Sequence, residues 1–270
     1  MERELIILWA GIVAYVLGGS LAIGGVVLGK RPERSVLALI VIGFTLHTLA
    51  IAFRWERLGQ GPFVSMFEIL SSNLWSLVLV FALAYWRIPA IRPSAAVVMP
   101  ILFVMMGWLV VSSPGEVHLP RSFRTPWLYI HVGLGKVFLG AMLVAVGLAG
   151  VIQARRSVWG SARFLRLPED SRLDELAYRF MALALVFNSL MLVAGAIWAQ
   201  DAWGRYWAWD PLETWAFITW LLLALALHLR VTFKPSARVS SLMAFAVFGI
   251  AFLTFFGVPF ISQSPHKGTF

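Results

Sequence analysis

Tryptophan and histidine are the residues of this chain whose types and spacing point to chemistry. Six of the 13 tryptophans lie in one stretch, WAQDAWGRYWAWDPLETWAFITW, which runs from Trp198 to Trp220. The aromatic belt of a membrane protein explains one or two tryptophans at each membrane boundary, but not six in one stretch. Because the indole ring is large, rigid and apolar, the stretch predicts a surface for a flat apolar ligand or for the apolar surface of a partner.

The five histidines are the second set of candidates. A haem needs axial nitrogen ligands and an apolar cover, so histidines on the same side of the membrane as the tryptophans would complete a haem site. Taken singly, such a histidine is more often a hydrogen-bonded residue at the membrane surface than a ligand, and that alternative stays open. The choice depends on the helices that carry these residues.

The amino-acid composition indicates what kind of helices carry these tryptophans and histidines. Of the 270 residues, 60% are hydrophobic and 13% are charged, whereas soluble proteins carry about 25% charged residues. The apolar residues come in long runs, which excludes a soluble domain, a disordered chain and an outer-membrane barrel. The net charge of +9 is typical of basic loops in a membrane protein, so we expect no nucleic-acid partner. The chain has no cysteine, so a partner or substrate must supply any thiols.

We therefore predict an all-α polytopic membrane protein, with residues 1–270 in a single integral membrane domain. Eight apolar runs predict eight transmembrane helices: 5–28, 35–53, 66–86, 94–111, 127–152, 178–198, 212–229 and 240–261. The long polar connection 153–177 contains a Pro168-Glu169-Asp170 step. This step predicts a short surface helix leading into the sixth span.

The distribution of basic residues predicts the orientation. Fourteen lysines and arginines fall on one side of the predicted spans and seven on the other, with Lys136 inside the fifth span. The more basic side is expected to be cytoplasmic. Both termini and the tryptophan-rich loop between helices six and seven are then external, as are His131 and His266. His228 lies about 24 Å inward from the start of the seventh span, toward the cytoplasm.

Ionisable residues inside predicted spans are further candidates, because burying such a group in a membrane is costly. For His47 the alternative is a hydrogen bond between helices. Glu68 and Lys136 could neutralise each other or meet a ligand. External arginines could pair with the propionates of a haem, or could be ordinary loop charges: Arg121, Arg124 and Arg205.

Asp210-Pro211-Leu212-Glu213 has an architectural interpretation. Aspartate at the N-cap, proline at the first helical position and glutamate at the third are typical of a helix start. We therefore expect Asp210 and Glu213 to begin the seventh span rather than to act as catalysts.

The tryptophan-rich stretch and the segments around three histidines resemble those of a known protein family. WGRYWAWDPLETWAFITW resembles the tryptophan-rich WWD signature of haem-handling cytochrome c biogenesis proteins. Its Asp-Pro-x-Glu-Thr-Trp continuation is similar to the CcsA/ResC branch of System II and differs from the Asp-Ala-Arg form of the CcmC branch. The segments around His131 and His266 resemble the family's two external histidine motifs, and the segment around His228 resembles its membrane-embedded histidine. The setting of His266, Ser-Pro-His-Lys-Gly, departs from the family's usual Gly-Leu-His-Ser-Tyr.

The resemblance implies a subunit of a System II cytochrome c synthase. Such a subunit carries haem b across the bacterial plasma membrane and presents it on the outer side for thioether attachment to apocytochrome c. His131 and His266 are implied as axial ligands of the haem iron, and His228 as part of an inner haem site. The loop residues implied to cradle the haem are Trp203, Trp207, Trp209 and Asp210. The implied partners are a ResB/CcsB-type membrane subunit, apocytochrome c and thioredoxin-like thiol-reducing proteins.

Three alternatives stay open. The first is a haem chaperone or exporter like CcmC, or a HemX-like membrane regulator of haem synthesis, neither with synthase activity. The second is a b-type cytochrome subunit, which needs histidines at matching depths on adjacent spans. The third is a transporter for another flat apolar molecule, with the tryptophans as its outer gate.

Overall fold

The computed structural model describes residues 2–61, 64–118, 120, 123–164 and 168–261. These residues form helices and connecting loops, without a strand among them. The α-helices found there are α1 (Glu2–Val27), α2 (Glu33–Leu58), α3 (Met66–Arg87), α4 (Ala95–Val111), α5 (Pro126–Ala154), α6 (Val158–Arg163), α7 (Asp170–Trp203), α8 (Pro211–Phe233), α9 (Ala237–Phe252) and α10 (Val258–Ile261). A 3-10 helix, Pro89–Ser94, precedes α4, and a π-helical segment, Leu253–Gly257, joins α9 to α10.

The prediction of eight membrane-spanning helices is confirmed. Within the described part of the chain, eight helices are long and apolar enough to cross a membrane. They are α1, α2, α3, α4 with its 3-10 helix, α5, α7, α8 and α9 with its π segment. The protein is thus an all-α, multi-pass membrane protein.

The connection between the fifth and sixth spans differs from the prediction. A short helix, α6, lies within it, but residues after Pro168 do not form a second separate surface helix. They begin α7, which is continuous for 34 residues, or about 50 Å at 1.5 Å per residue. Because the hydrocarbon core of a bilayer is about 30 Å thick, α7 is longer than its span requires.

The chain folds into two compact units, each packed mainly within itself. The first comprises residues 1–118 with 153–169, and the second comprises residues 119–152 with 170–270. The first unit therefore holds α1–α4 and α6, and the second holds α7–α10 and nearly all of α5. That residues 1–270 act as one membrane domain stays a prediction.

In the first unit, α1 and α2 approach closely through glycines. A Cβ on Gly11 would stand 3.0 Å from the carbonyl oxygen of Gly43, and a Cβ on Gly43 would stand 2.6 Å from the ring of Tyr15. Small residues let helix backbones approach in this way inside membranes. The side chain of Tyr15 is fully buried beside this contact.

A buried group of charges joins the helix ends at one side of the first unit. Arg54 donates to Glu68 at 2.9 Å and to Glu4 at 3.1 Å, and all three side chains are at most 5% exposed. The same guanidinium donates to the carbonyls of Pro114 and Gly115. These bonds hold the ends of α1, α2 and α3 against the segment that follows α4. Buried charges of this kind are tolerated because they are paired and hydrogen-bonded.

In the second unit, three side-chain contacts join the helices at different positions along their length. The Nε1 of Trp220 on α8 donates to the Oγ of Ser189 on α7 at 2.7 Å. The hydroxyls of Thr219 and Thr254 are 2.9 Å apart and join α8 to the π segment. Phe138 on α5 lies 6.0 Å from Phe255, measured between ring centroids.

The π segment has a local cause in the sequence. Pro259 has no N–H to donate four residues back, and its ring would clash with the carbonyl of that residue in a regular α-helix. The helix widens instead, and the N–H of Val258 donates to the carbonyl of Leu253, five residues back.

Candidate functional site

The tryptophan-rich loop, Gly204–Asp210, has left-handed backbone conformations at its first residue and at its second-to-last residue. Gly204 has φ 74° and its N–H donates to the carbonyl of Gln200 at 2.9 Å, which ends α7. Trp209 has φ 59°, a conformation that costs a non-glycine residue of order 1 kcal/mol or more. Such strain persists only where the surroundings enforce it. The bonds at the start of α8 provide that enforcement.

Those bonds come from Asp210 and Glu213. The carboxylate of Asp210 accepts from the N–H of Glu213 at 2.9 Å, and the carboxylate of Glu213 reaches back toward the N–H of Asp210. Glu213 also accepts from the N–H of Ala208 at 2.7 Å, and the hydroxyl of Thr214 donates to the carbonyl of Trp209. The architectural interpretation of Asp210 and Glu213 is therefore confirmed. Together they hold the last three residues of the loop on the end of α8.

His131 lies near the start of α5 and faces α7. Its Nδ1 is 2.9 Å from the carbonyl oxygen of Met191. Because a carbonyl only accepts, Nδ1 must carry the proton, and the Nε2 of the neutral imidazole therefore carries the lone pair. Histidines that bind metals usually have this arrangement, in which a backbone carbonyl fixes the tautomer and the direction of the ring.

Gly195 makes room for this imidazole on α7. A Cβ on Gly195 would stand 2.7 Å from Nδ1 and 2.8 Å from Cε1 of His131. One turn further along α7, the ring of Trp198 is stacked parallel to the imidazole, with centroids 6.2 Å apart and an interplanar angle of 12°. The ring of His131 is thus held by a hydrogen bond, a glycine gap and an indole face.

Trp198 also belongs to an aromatic group at the end of α7, which we call the α7-end cluster. It consists of Phe123, Trp198 and Trp203, whose ring centroids lie 4.9–5.6 Å apart with steep, edge-on angles. The Nε1 of Trp198 donates to the carbonyl of Phe123 at 3.1 Å. This bond attaches the segment before α5 to the end of α7.

A second aromatic group, the loop cluster, joins the loop to α8. It consists of Trp207, Trp209, Phe217 and Trp220, with neighbouring ring centroids 5.5–6.3 Å apart. Within the described residues, the buried Nε1 of Trp207 has no hydrogen-bond partner. Trp209 and Tyr206, by contrast, are 66% and 61% exposed. The loop thus presents a large apolar aromatic surface outward.

Most of the chain matches one known protein family. The family described as "Cytochrome C assembly protein" matches residues 32–266, most of the chain. The chain belongs to this cytochrome c assembly family. The prediction of a role in cytochrome c biogenesis is thereby confirmed.

Individual proteins with similar sequences support the same assignment. The chain is 29% identical over 269 residues to "Cytochrome c biogenesis protein CcsA" of Prochlorococcus marinus (strain MIT 9301), covering 90% of this chain and 87% of that protein. It is 25% identical over 260 residues to the protein of the same name from Chlamydomonas reinhardtii, covering 92% of this chain and 72% of that protein. These matches confirm the resemblance to the CcsA family.

A solved structure gives the same fold. The assembly protein is similar to "Cytochrome c Heme Lyase CcmF" with a TM-score of 0.71 and 20% identity. The match covers 98% of this chain but 47% of that one, so the chain spans about half the length of the CcmF chain. At this identity the likeness concerns the fold alone.

The structure separates the predicted site residues of this assembly protein into groups. His131 contacts the α7-end cluster, to which Trp203 belongs as the last residue of α7, whereas Trp207 and Trp209 belong to the loop cluster. His228 is an exposed residue of α8, 17 residues after Pro211, or about 25 Å along the helix. His266 and Arg121 lie outside the described residues.

Two of the other ionisable candidates, His47 and Glu68, have structural partners. The Nε2 of His47 is 2.9 Å from the hydroxyl of Ser71 on α3, which agrees with the alternative of a hydrogen bond between helices. Glu68 pairs with Arg54 and is the third residue of the capping box of α3. Its pairing with Arg54, 14 residues earlier in the chain, was not predicted.

Sequence reasoning missed two contributors to the site. Gly195 leaves the space for the imidazole, and Phe123 holds Trp198 from the loop before α5. A glycine inside an apolar helix is a signal of close packing, so Gly195 could have been noticed. What packs against it could not have been read from the spacing alone.

Proposed function

We propose that this cytochrome c assembly protein is the haem-presenting membrane subunit of a System II cytochrome c synthase, with haem b as its substrate. The observation that carries the proposal is the setting of His131. Its Nδ1 donates to the Met191 carbonyl, so in the neutral imidazole Nε2 is the nitrogen with the chemistry of an iron ligand, and the ring is stacked on the indole of Trp198. The names of the CcsA relatives and of the heme lyase CcmF support this assignment.

The residues of the site fit such a substrate. His131 would supply one axial nitrogen, and the two aromatic clusters would cover the apolar faces of the porphyrin. The exposed ring of Trp209 and the neighbouring Tyr206 offer the outward part of that cover. His266 is proposed as the second axial ligand on the basis of its family motif.

Presentation to apocytochrome c requires orientation more than a nucleophile in this chain. The bonds of Asp210 and Glu213 hold the loop in one conformation, so that a bound haem keeps its vinyl groups at a defined position for the thiols of the substrate. The chain has no cysteine. The thiols would come from apocytochrome c, kept reduced by thioredoxin-like proteins.

The exposed side chains of Arg124 and Arg205 lie on segments that flank the two clusters. A guanidinium binds a carboxylate with two parallel hydrogen bonds. We propose them as partners of the haem propionates.

His228 would belong to a second, inner site. Its side chain is exposed on α8, and its Nε2 lies 3.5 Å from the hydroxyl of Thr232 one turn further. An exposed imidazole on a membrane-spanning helix suits a ligand position shared with another subunit. We propose that a histidine of a ResB/CcsB-type subunit completes this site.

The proposed location is the bacterial plasma membrane, with both termini and the tryptophan-rich loop outside. The charge count supports this orientation, since 14 basic residues fall on one side and seven on the other. The comparisons do not favour the alternative of a chaperone, exporter or HemX-like regulator.

An absorbance experiment tests the proposal. The complex is purified from cells that co-express a ResB/CcsB-type subunit, and reduced-minus-oxidised spectra are compared for the wild type, His131→Ala, His266→Ala and His118→Ala. We expect a low-spin haem spectrum that is lost or shifted in the first two variants and is restored by imidazole. His118 is an exposed loop residue, so its variant should match the wild type. A spectrum that His131→Ala leaves unchanged would overturn the assignment of His131.

A further inference from the structure

The first unit contains a basic cavity that the proposed haem site does not use. It has a volume of about 280 Å³ and lies where α1 ends, α2 begins and α6 approaches. Its wall carries four cationic side chains and one carboxylate: Lys30, Arg31, Arg92, Arg163 and Glu33. The four positive charges less one negative charge leave a net charge of +3 on the wall.

The single carboxylate is already occupied. Arg92 donates to Glu33 at 2.8 Å, and its Nε donates to the carbonyl of Tyr85 at 3.2 Å. Arg31 lies 4.0 Å from the other oxygen of Glu33, at the limit of an ion pair. Within the described residues, the side chains of Lys30 and Arg163 make neither a hydrogen bond nor an ion pair, and the backbone N–H of Lys30 donates to the carbonyl of Gly25. The cavity therefore holds cationic groups that its own wall does not neutralise.

Local backbone structure brings two of these charges together. Gly29 has φ 67°, and a Cβ there would stand 3.6 Å from the Nη1 of Arg163. The glycine thus ends α1 and leaves the guanidinium of α6 close to the turn that carries Lys30. Both side chains are exposed and line the open side of the cavity.

The rest of the wall is apolar and continues along the helices. Ala22 and Val36 are 9% and 1% exposed, and Phe164 at the end of α6 is 3% exposed. A ligand that fills this cavity would meet cations at one end and aliphatic side chains at the other. That combination fits an anion with an apolar part.

The outer face of α6 indicates where such a ligand would come from. Val158 and Trp159 are 90% and 52% exposed, and exposed apolar and tryptophan side chains on a short helix are typical of the lipid headgroup region. Arg155 holds the segment after α6 by donating to the carbonyls of Phe164 and Pro168. The wall of the cavity is thus fixed at the level of the headgroups.

We propose that this cavity binds the phosphate headgroup of one anionic phospholipid, taken from the leaflet on its side of the membrane. Lys30 and Arg163 bind the phosphate oxygens, and the glycerol end lies against Ala22 and Val36. Basic pockets between membrane helices bind anionic headgroups by this chemistry. The bound lipid would hold α6 against the α1–α2 turn.

Native mass spectrometry of the full chain, purified in detergent and delipidated, tests the proposal. The protein is titrated with phosphatidylglycerol, with phosphatidylcholine and with inorganic phosphate. We expect one phosphatidylglycerol to bind in preference to phosphatidylcholine, and free phosphate to bind far more weakly. The double variant Lys30→Gln/Arg163→Gln should bind phosphatidylglycerol about 30-fold more weakly, from about 1 kcal/mol for each charge removed.

Two further variants make the result specific. Arg34→Gln/Arg156→Gln removes the same charge from exposed positions of the same unit that do not line the cavity, and should lose only a few-fold in affinity. Lys30→Arg/Arg163→Lys should keep the wild-type affinity. Equal losses in both glutamine variants, or phosphate binding as tight as that of the lipid, would overturn the proposal.

Discussion

Adding a methyl group to Gly195 is the most direct perturbation of the proposed haem ligand. The new Cβ would stand 2.7 Å from Nδ1 of His131, where ordinary contacts begin at 3.4 Å. The imidazole must therefore move by about 0.7 Å, the difference between these two distances. A shift of that size away from α7 lengthens the 2.9 Å contact with the Met191 carbonyl beyond hydrogen-bond range.

The expected effects on stability and on ligand binding differ. Alanine in place of glycine inside a helix stabilises by about 0.5–1 kcal/mol, and the lost hydrogen bond costs about 0.5–1.5 kcal/mol. These contributions nearly cancel, so Gly195→Ala should unfold at close to the wild-type temperature. Losing the bond that orients a metal-binding histidine typically lowers affinity 10- to 100-fold, so haem affinity should fall by about that factor.

Gly133→Ala is the matched control, because Gly133 lies two residues after His131 on α5 and a Cβ there meets nothing within 4 Å. It should raise the unfolding temperature and leave haem affinity unchanged. The assay titrates haem into the purified apoprotein and follows the absorbance, with a thermal unfolding curve for each variant. If Gly195→Ala binds haem as tightly as Gly133→Ala, the argued orientation of His131 is refuted.

Three other substitutions test the surroundings of the site. Glu213→Ala removes the acceptor of the loop N–H groups, and should lower the free energy of unfolding by about 1–2 kcal/mol together with haem retention in the purified protein. Arg54→Met leaves the buried carboxylate of Glu68 without its cationic partner, whereas Glu4 keeps Arg57. It should cost about 3–5 kcal/mol in chemical denaturation, whereas the exposed Arg34→Met should stay within about 0.5 kcal/mol. Trp209→Asn relieves the positive φ, so its unfolding temperature should equal or exceed that of the wild type while haem retention in the absorbance assay falls.

The spans and the start of α8 were predictable because their causes are local. An apolar run of about 20 residues predicts a membrane helix without reference to the rest of the fold. The Asp-Pro-Leu-Glu sequence likewise contains all the groups of its own capping box. The length of α7 was not predicted, because its first residues are polar. The span was recognised by its apolar run, and the part of α7 that extends beyond the membrane lacks such a run.

The contacts that orient the candidate ligand were not predictable, because they join residues that are far apart in the sequence. His131 and Gly195 are 64 positions apart in the sequence, and nothing in the spacing of either residue specifies that the two faces meet. The same holds for Arg54 and Glu68, whose pairing depends on how α2 and α3 end beside each other. Sequence alone identified the residue types, whereas helix packing determined their partners.

The polar and aromatic residues of the tryptophan-rich stretch have separable roles. Asp210 and Glu213 use their hydrogen-bonding groups on the backbone of the loop and of α8, so they position the stretch, and a contact of Asp210 with haem stays a proposal. The ring of Trp209 makes edge-on contacts with Trp207 and Phe217, is nevertheless 66% exposed, and is held in a strained backbone conformation. A residue that costs stability and yet is enforced by its neighbours is best explained by its outward surface. Loss of Glu213 should therefore reduce both stability and haem retention, while loss of the Trp209 ring should reduce haem retention alone.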